Sequence, residues 1–410
     1  MALMRFVALA LLGSVVASAL PQAYTGPTVL ITDQGTINGI PSRVFGPLVF
    51  NRDGTAVASM DDNIMTFNPA NGVWTTAVTK AQILAATGWS LPLGSVPSLT
   101  MHGGVSASNF SFFSNMVGKL GVFRFSGGVL QTILKTGDTL DGASVVKVGN
   151  VFSNELGRDV YAVETAGNVQ KIYTSTTPTG TKTLLLKSGD AMPGGGTFIR
   201  FDFTPAIDGT KKIFFSDKPN GAEYRIFSIA TNGLNLASEV AAGQVLAPGF
   251  TGKTYKVIHA QDKVVYFDAT SQENPKIGGL FKKENGVVEM LIGPGTKQYP
   301  KSARTVVSAK GLACSPDGVW RSAKVLLDDG QEQVWIHGPT LTGAKIWIGP
   351  TFGQVYTDAA TGRPMRFIST SSFSPRMNNN GMFVMSSALF TWTDTLQGTF
   401  GIIVFQPNYS

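Results

Sequence analysis

The chain has 410 residues, 47 of them glycine and 21 proline, with 43% apolar and only 14% charged residues and a formal charge of +7. So little charge beside so much glycine excludes a long helical protein and fits many short strands joined by tight turns. The basic excess is thin, with no Lys/Arg run and no basic tail, so the chain carries no nucleic-acid signature, although its field favours anionic partners over cationic ones.

In chain order, the first element is a processing segment. Met1–Arg5 supplies one positive charge, Phe6–Val16 is an apolar run too short to span a bilayer comfortably, and Ala17-Ser18-Ala19 fits the small-residue cleavage rule. Residues 1–19 therefore read as a signal peptide cleaved after Ala19, with Ala23 as the alternative. Residues 20–410 read as one exported, extracellular domain, a monomer with no membrane span. A single cysteine, Cys314, permits no intrachain disulfide. The thiol reads as buried and inert, and stability must come from packing and closure.

A repeat of about fifty residues follows. Its marker is a glycine turn, plainest at Lys135-Thr-Gly-Asp-Thr-Leu-Asp-Gly142 and Lys187-Ser-Gly-Asp-Ala-Met-Pro-Gly194. Weaker copies begin at Gly35, Gly88, Gly243, Gly293 and Gly349, and the seven glycines lie between 49 and 56 residues apart. After each turn comes a first apolar strand, then a second strand, in turn 55–60, 110–116, 159–164, 212–216, 264–269, 323–327 and 382–386. Six units end in a hairpin of third and fourth strands, predicted over 64–78, 121–134, 171–186, 225–240, 279–292 and 333–348, with Gly-Gly and Asn-Gly turns in the clearest copies. The seventh unit stops after a third strand at 399–405. Its missing fourth strand has a donor in Thr28-Val-Leu-Ile-Thr32, whose apolar run matches Thr183-Leu-Leu-Leu-Lys187. The prediction is an all-β, seven-bladed propeller of four antiparallel strands per blade, its last blade closed by the N-terminal strand, which leaves no sheet edge exposed. A β-helix would show shorter coils, and two sandwiches would not share one period.

Phe373-Ser-Pro-Arg-Met-Asn-Asn-Asn-Gly-Met-Phe-Val-Met385, with a shorter echo in Asn51-Arg-Asp-Gly54, resembles the tandem unit of secreted, mainly bacterial repeat proteins with an Asn-x-x-Gly-x-x-Ala-Phe signature. Gly189–Phe198 followed by Phe203–Asp208 resembles the other half of that unit. The resemblance covers nearly the whole mature chain through degenerate copies; blade 2 lacks the Gly-Asp pair and Gln244 replaces Asp in blade 5. It implies a propeller and export and carries no activity, so no functional residue transfers with it. Asn and Gly of the motif are expected to make a turn and Phe to fill the core.

The first strand of a blade lines the channel, so its polar residues matter most. A basic residue opens this strand in six units, as Arg43-Val, Lys147-Val, Arg200-Phe, Lys256-Val, Arg304-Thr and Arg366-Phe, and His102 stands at the comparable place in the seventh. Pseudo-symmetry would gather the seven into a positive ring at one channel mouth, holding an anionic polysaccharide or another acidic ligand. The competing reading seats them between blades, paired with acids such as Asp202 and Asp262. A lyase needs a His or Tyr base beside a cation, a set His259, Tyr255 and Lys256 would supply; a glycosidase needs two facing carboxylates, for which Asp202, Asp262 and Glu155 are the candidates. A non-enzymatic ligand binder, a carbohydrate-active enzyme and a structural matrix protein all remain open.

No cofactor or metal site is expected. Gly194-Gly195-Gly196 precedes no Gly-Lys-Ser/Thr, and Asp61-Asp62-Asn63 and Asp328-Asp329-Gly330 read as solvated turns. Ser315-Pro-Asp-Gly-Val-Trp320 resembles the structural Asp-box turn of sialidases, one residue short. Asn109-Phe-Ser111 is a glycosylation sequon on or beside a second strand. Of six tryptophans, Trp89 stands out as a sugar-stacking candidate because it lies in a Gly-rich loop.

Overall fold

Gly137 and Gly189 take φ of +91° and +95°, a region glycine enters without steric cost. The aspartate after each folds back on the turn: Asp138 accepts the Lys135 N–H and Asp190 the Lys187 N–H, both at 2.9 Å. Where Gln244 replaces Asp, its side-chain oxygen takes the same part, accepting the Ala241 N–H at 3.2 Å.

The computed structural model describes residues 23–408 except 33–35, 38–39, 42–47, 61–62, 70, 91–97, 155, 177–179, 203, 211, 218–223, 298–303, 341–342, 352–354, 359–360, 368–373 and 397. Residues 1–19, read above as a signal peptide, lie outside these residues. The repeat builds seven antiparallel blades. Blade 1 comprises Val49–Phe50, Ala56–Met60, Asn63–Asn68 and Val73–Val78. Blade 2 comprises Ser98–Ser106, Asn109–Met116, Lys119–Ser126 and Val129–Lys135. Blade 3 is Ala143–Ser153, Asp159–Thr165, Val169–Ser175 and Lys182–Lys187, and blade 4 is Ala206–Ile207, Lys212–Asp217, Arg225–Ala230 and Ala237–Val240. Blade 5 is Phe250–Gln261, Val264–Ser271, Gly278–Glu284 and Val287–Ile292. Blade 6 is Val306–Cys314, Arg321–Leu327, Glu332–Thr340 and Gly343–Thr351.

Blade 7 is built from both ends of the described chain. Its first strand is split into Pro364–Phe367 and Ser374–Met377, followed by Phe383–Trp392 and Gly398–Asn408. Ala23–Thr32 then adds antiparallel to the last of these, with Thr28 opposite Val404, Val29 opposite Ile403 and Thr32 opposite Gly401. This is the closure the sequence predicts. Asp358, fully buried, pins it by accepting the Val29 N–H at 3.0 Å.

The core is distributed around the ring. Among the described residues seven apolar clusters fill the contacts between neighbouring blades; that between blades 1 and 2 stacks Phe110, Phe112 and Phe123 on Val57 and Ile64, and that between blades 7 and 1 sets Met382, Ile402 and Val404 on Ala56 and Met65. Alternate residues of each strand face opposite neighbours, so both faces of every blade are apolar.

The signature Asn does make a turn between first and second strands. Asn378 Oδ1 accepts the Asn380 and Met382 N–H groups at 3.0 and 2.8 Å. Asn154 and Asp208 do the same in blades 3 and 4. These turns also join blades: Asn154 Nδ2 donates to the Asp208 carbonyl at 3.1 Å, and Asn379 Oδ1 accepts the Asp317 N–H at 3.1 Å. The shortened Asp-box is a further turn of this series, with Ser315 Oγ accepting the Trp320 N–H at 2.9 Å.

A helix departs from the predicted strand pattern. It runs between blades 1 and 2 over Lys80–Thr87, opened by a Thr79/Gln82 capping box and ended by Gly88 at φ +69°. Gly88 is thus a helix cap rather than a copy of the glycine turn. Trp89, half-buried, packs edge-on against Phe123 with centroids 6.3 Å apart and joins the apolar cluster between blades 1 and 2.

Candidate ligand-binding cavity

The inner strands enclose a cavity of about 330 Å³ on the propeller axis, and every blade contributes to its wall. Two sectors differ in chemistry. Blades 2, 3 and 4 supply Gly104, Asn150, Phe152, Ser153, Thr204 and Ala206, a neutral wall of polar and apolar atoms. Blades 5, 6, 7 and 1, consecutive in the ring, supply Lys256, Lys310, Arg376 and Arg52. The acid among the described lining residues is Asp268, opposite Lys256 on the neighbouring strand.

Burial raises the Asp268 carboxyl to about 7, against the opposing pull of the Gly311 N–H it accepts and of Lys256 and Lys310. Burial also brings Arg376 down to about 10. His259 reaches the same wall. Burial, with help from the Arg52 and Arg321 charges, lowers its imidazole to about 4, so the ring is neutral at physiological pH; it stacks on Tyr266 with centroids 6.1 Å apart, and Nε2 is sealed from solvent without a partner. Cys314, half-buried, lines the cavity as well, its thiol pushed up to about 12 by burial, which keeps it protonated at physiological pH.

The predicted ring is not what lines this cavity. Lys256 does, but Lys147, Arg200, Arg304 and Arg366 are exposed and lie outside the lining. The reason is geometric. The first strands of blades 3, 5 and 6 are long and bulged, and at roughly 3.3 Å per residue a side chain that opens such a strand stands well away from its axial stretch, while Arg200 lies six residues ahead of the short first strand of blade 4. In blade 6 the lining starts at Lys310, six residues past Arg304, which pairs with Asp329 at 3.1 Å. Arg366 sits on the outlying half of the split strand of blade 7, whereas Arg376 on the inner half reaches the cavity. Arg43 lies outside the described residues, and His102 stands on a described strand whose side chain is not described. Two of the three missed cations had a signal: Arg52 follows, and Arg376 precedes by two, the Asn of the signature turn, which sits at the cavity's edge, whereas Lys310 had none.

The lyase set also comes apart. Tyr255 is buried, donates its hydroxyl to the Ala241 and Gly252 carbonyls at 3.0 and 3.1 Å, and packs on Phe267 between blades 4 and 5. Neighbouring positions on a strand face opposite sides, so Tyr255 points away from the cavity that Lys256 enters. Asp202 and Asp262 lie outside the lining and Glu155 outside the described residues, so no glycosidase carboxylate pair assembles there among the described residues. Asn109 Oδ1 accepts from Arg124 Nε at 3.1 Å and Ser111 is buried on Asp159, which ties the sequon into the sheet. Among the described residues no group of three His, Cys, Asp or Glu is placed to hold a metal ion, and no helix is long and apolar enough to cross a membrane. A second hollow of about 590 Å³ lies outside the ring between blades 4 and 5, but its Lys212 and Lys283 are both engaged by Glu239.

No family model matches the chain, and no curated protein matches it. Solved structures resemble it. TolB from Acinetobacter baumannii is 10% identical over 89% of this chain and 79% of that one, with a TM-score of 0.38. A putative TolB from Agrobacterium tumefaciens is 12% identical over 75% and 91%, at 0.42. The β-propeller domain of the Trilobed protease from Pyrococcus furiosus is 9% identical over 87% and 94%, at 0.48. These likenesses concern the fold alone.

Proposed function

We propose that this chain is an exported propeller that binds an anionic ligand, the acid groups of a glycan, in its axial cavity without transforming it. The observation that carries the reading is the polarised wall: four cations on four consecutive blades face a neutral sector bearing amide, hydroxyl and aromatic groups. Arg and Lys take carboxylate or sulfate through charge-assisted hydrogen bonds, and the neutral wall suits the hydroxyl and ring faces of a sugar. Cleavage after Ala19 would leave the closing strand Ala23–Thr32 intact, in keeping with an N-terminal segment built for export.

The test is calorimetric titration with an oligo-glucuronate at low and raised salt, beside a neutral gluco-oligomer. Binding should weaken with salt, and Lys310→Gln should lose about tenfold in affinity, the scale of one charged hydrogen bond. Equal affinity for the neutral oligomer would refute it. One observation favours a second reading. Asp268, held near neutrality beside two lysines, meets the requirement for a general base better than His259 or Tyr255. A lyase would release unsaturated uronates, seen as ultraviolet absorbance and abolished in Asp268→Asn.

A further inference from the structure

The cavity is barred at one end. Arg52, in the turn between the first and second strands of blade 1, donates from its terminal nitrogen to Gln261 Oε1 of blade 5 at 2.8 Å. Blades 6 and 7 separate these two blades one way round the ring and blades 2, 3 and 4 the other. The bond therefore crosses the channel at the face that carries the signature turns. Gln261 is buried, and the Arg52 turn is itself bonded to both neighbouring blades: its carbonyl accepts from Asn379 Nδ2 of blade 7 at 3.4 Å, and its N–H donates to the Gly104 carbonyl on the first strand of blade 2 at 3.1 Å. The bar belongs to a braced rim.

The cations are graded in depth behind it. Arg376 stands two residues before the Asn378 turn, level with His259, which stands three before Asp262; both are close to the bar. Lys256 and Lys310 stand six and five residues before their turns at Asp262 and Ser315, with Asp268 facing both. Three residues of extended chain separate the tiers by roughly 10 Å. The inner tier is Arg52 and Arg376, and the outer tier lies toward the opposite mouth, where the glycine turns join one blade to the next. A volume near 330 Å³ is at the small end of ligand cavities, which span roughly 300–1,000 Å³.

Resting on the anion-binding reading above, we infer that the cavity is a one-ended socket for the terminus of an acidic glycan chain. The last acid group meets Arg376 and Arg52 beneath the Arg52–Gln261 bar, the next unit meets Lys256 and Lys310, and the rest of the chain leaves by the open mouth. A polymer cannot pass through, and the inside of a long chain cannot enter.

The experiment is titration of the full mature protein with glucuronate as monomer, as dimer, as hexamer and as a long chain, with binding stoichiometry from sedimentation. Affinity should rise about tenfold from monomer to dimer as the second tier engages. Beyond the dimer it should be flat per mole of chain ends, with the same number of protein molecules on a hexamer as on the long chain. Stoichiometry that grows with chain length overturns the socket while leaving the anion-binding reading in place; no binding of any member overturns both. Gln261→Ala removes the acceptor of the bar without changing the cavity's charge, and Gln261→Glu keeps an acceptor. The alanine variant, shown folded by circular dichroism, should load more copies on the long chain than the wild type, and the glutamate variant should not. Wild-type stoichiometry in Gln261→Ala overturns the role of the bar.

Discussion

Asp268→Asn isolates the cavity's electrostatics. The carboxyl rises from an ordinary 3.8 to about 7, chiefly through burial. An acid so raised stays protonated in the fold while it ionises in the unfolded chain. Its presence therefore costs nothing below about pH 4, destabilises increasingly as pH climbs toward 7, and levels off above. Three units at 1.36 kcal/mol each set a ceiling of about 4 kcal/mol, and the partial exposure of the side chain to the channel brings this to about 2–4 kcal/mol. Asn keeps an oxygen for the Gly311 N–H and cannot ionise, so the variant should be more stable than the wild type above about pH 8 and equal to it below about pH 4. Affinity follows the same logic. In the wild type the cavity gains a negative charge as pH passes 7, which weakens an anion in the same cavity by roughly 1–1.5 kcal/mol, or about tenfold, at an effective dielectric near 20–40. Urea unfolding and calorimetric titration with oligo-glucuronate, each run below about pH 6 and above about pH 8, measure the two effects. Identical pH profiles for wild type and variant would refute the reasoning.

Three other perturbations test the frame. Asp358→Ala removes the acceptor of the Val29 N–H and of the Thr361 N–H and hydroxyl; it should cost about 2–4 kcal/mol in urea unfolding and speed proteolysis of the first strand. Gly338→Ala would drive a methyl into the Trp320 ring, so a loss of about 1–3 kcal/mol is expected by differential scanning calorimetry, and unchanged stability would mean that Trp320 does not occupy that slot. Arg124→Leu strands the fully buried Asp159, which the arginine meets at 3.2 Å between blades 2 and 3, and should cost about 3–5 kcal/mol, recovered in part by Asp159→Asn.

The blades were legible because their signals are local. Gly137 and Asp138 close a turn with atoms three residues apart, and a short apolar run between turn residues marks strands such as Val264–Ser271 wherever they end up in space. Even the long-range closure could be read, since a blade one strand short and a spare apolar strand at Thr28–Thr32 leave one economical pairing. The helix Lys80–Thr87 escaped because it buries little, Ile83 and Thr87 alone being buried, so no apolar stripe announced it; its capping box and Gly88 were the overlooked signs. The cavity was legible only as a place. Which cation reaches the axis depends on bulges such as those between Val257 and His259 and between Gly311 and Ala313, and on the split of the first strand in blade 7, and these are settled by packing between blades. Lys256 and Lys147 share a sequence context and differ in outcome for that reason.

Anomalous diffraction from crystals of the protein grown in selenate would test the anionic cavity most directly, since selenate scatters strongly and mimics the sulfate or carboxylate of an acidic glycan. The account predicts a selenium peak on the propeller axis within hydrogen-bonding distance of Arg376 or Lys310, absent in the Lys310→Gln, Arg376→Gln double variant. Selenate bound only on the outer surface, with none on the axis, would contradict it.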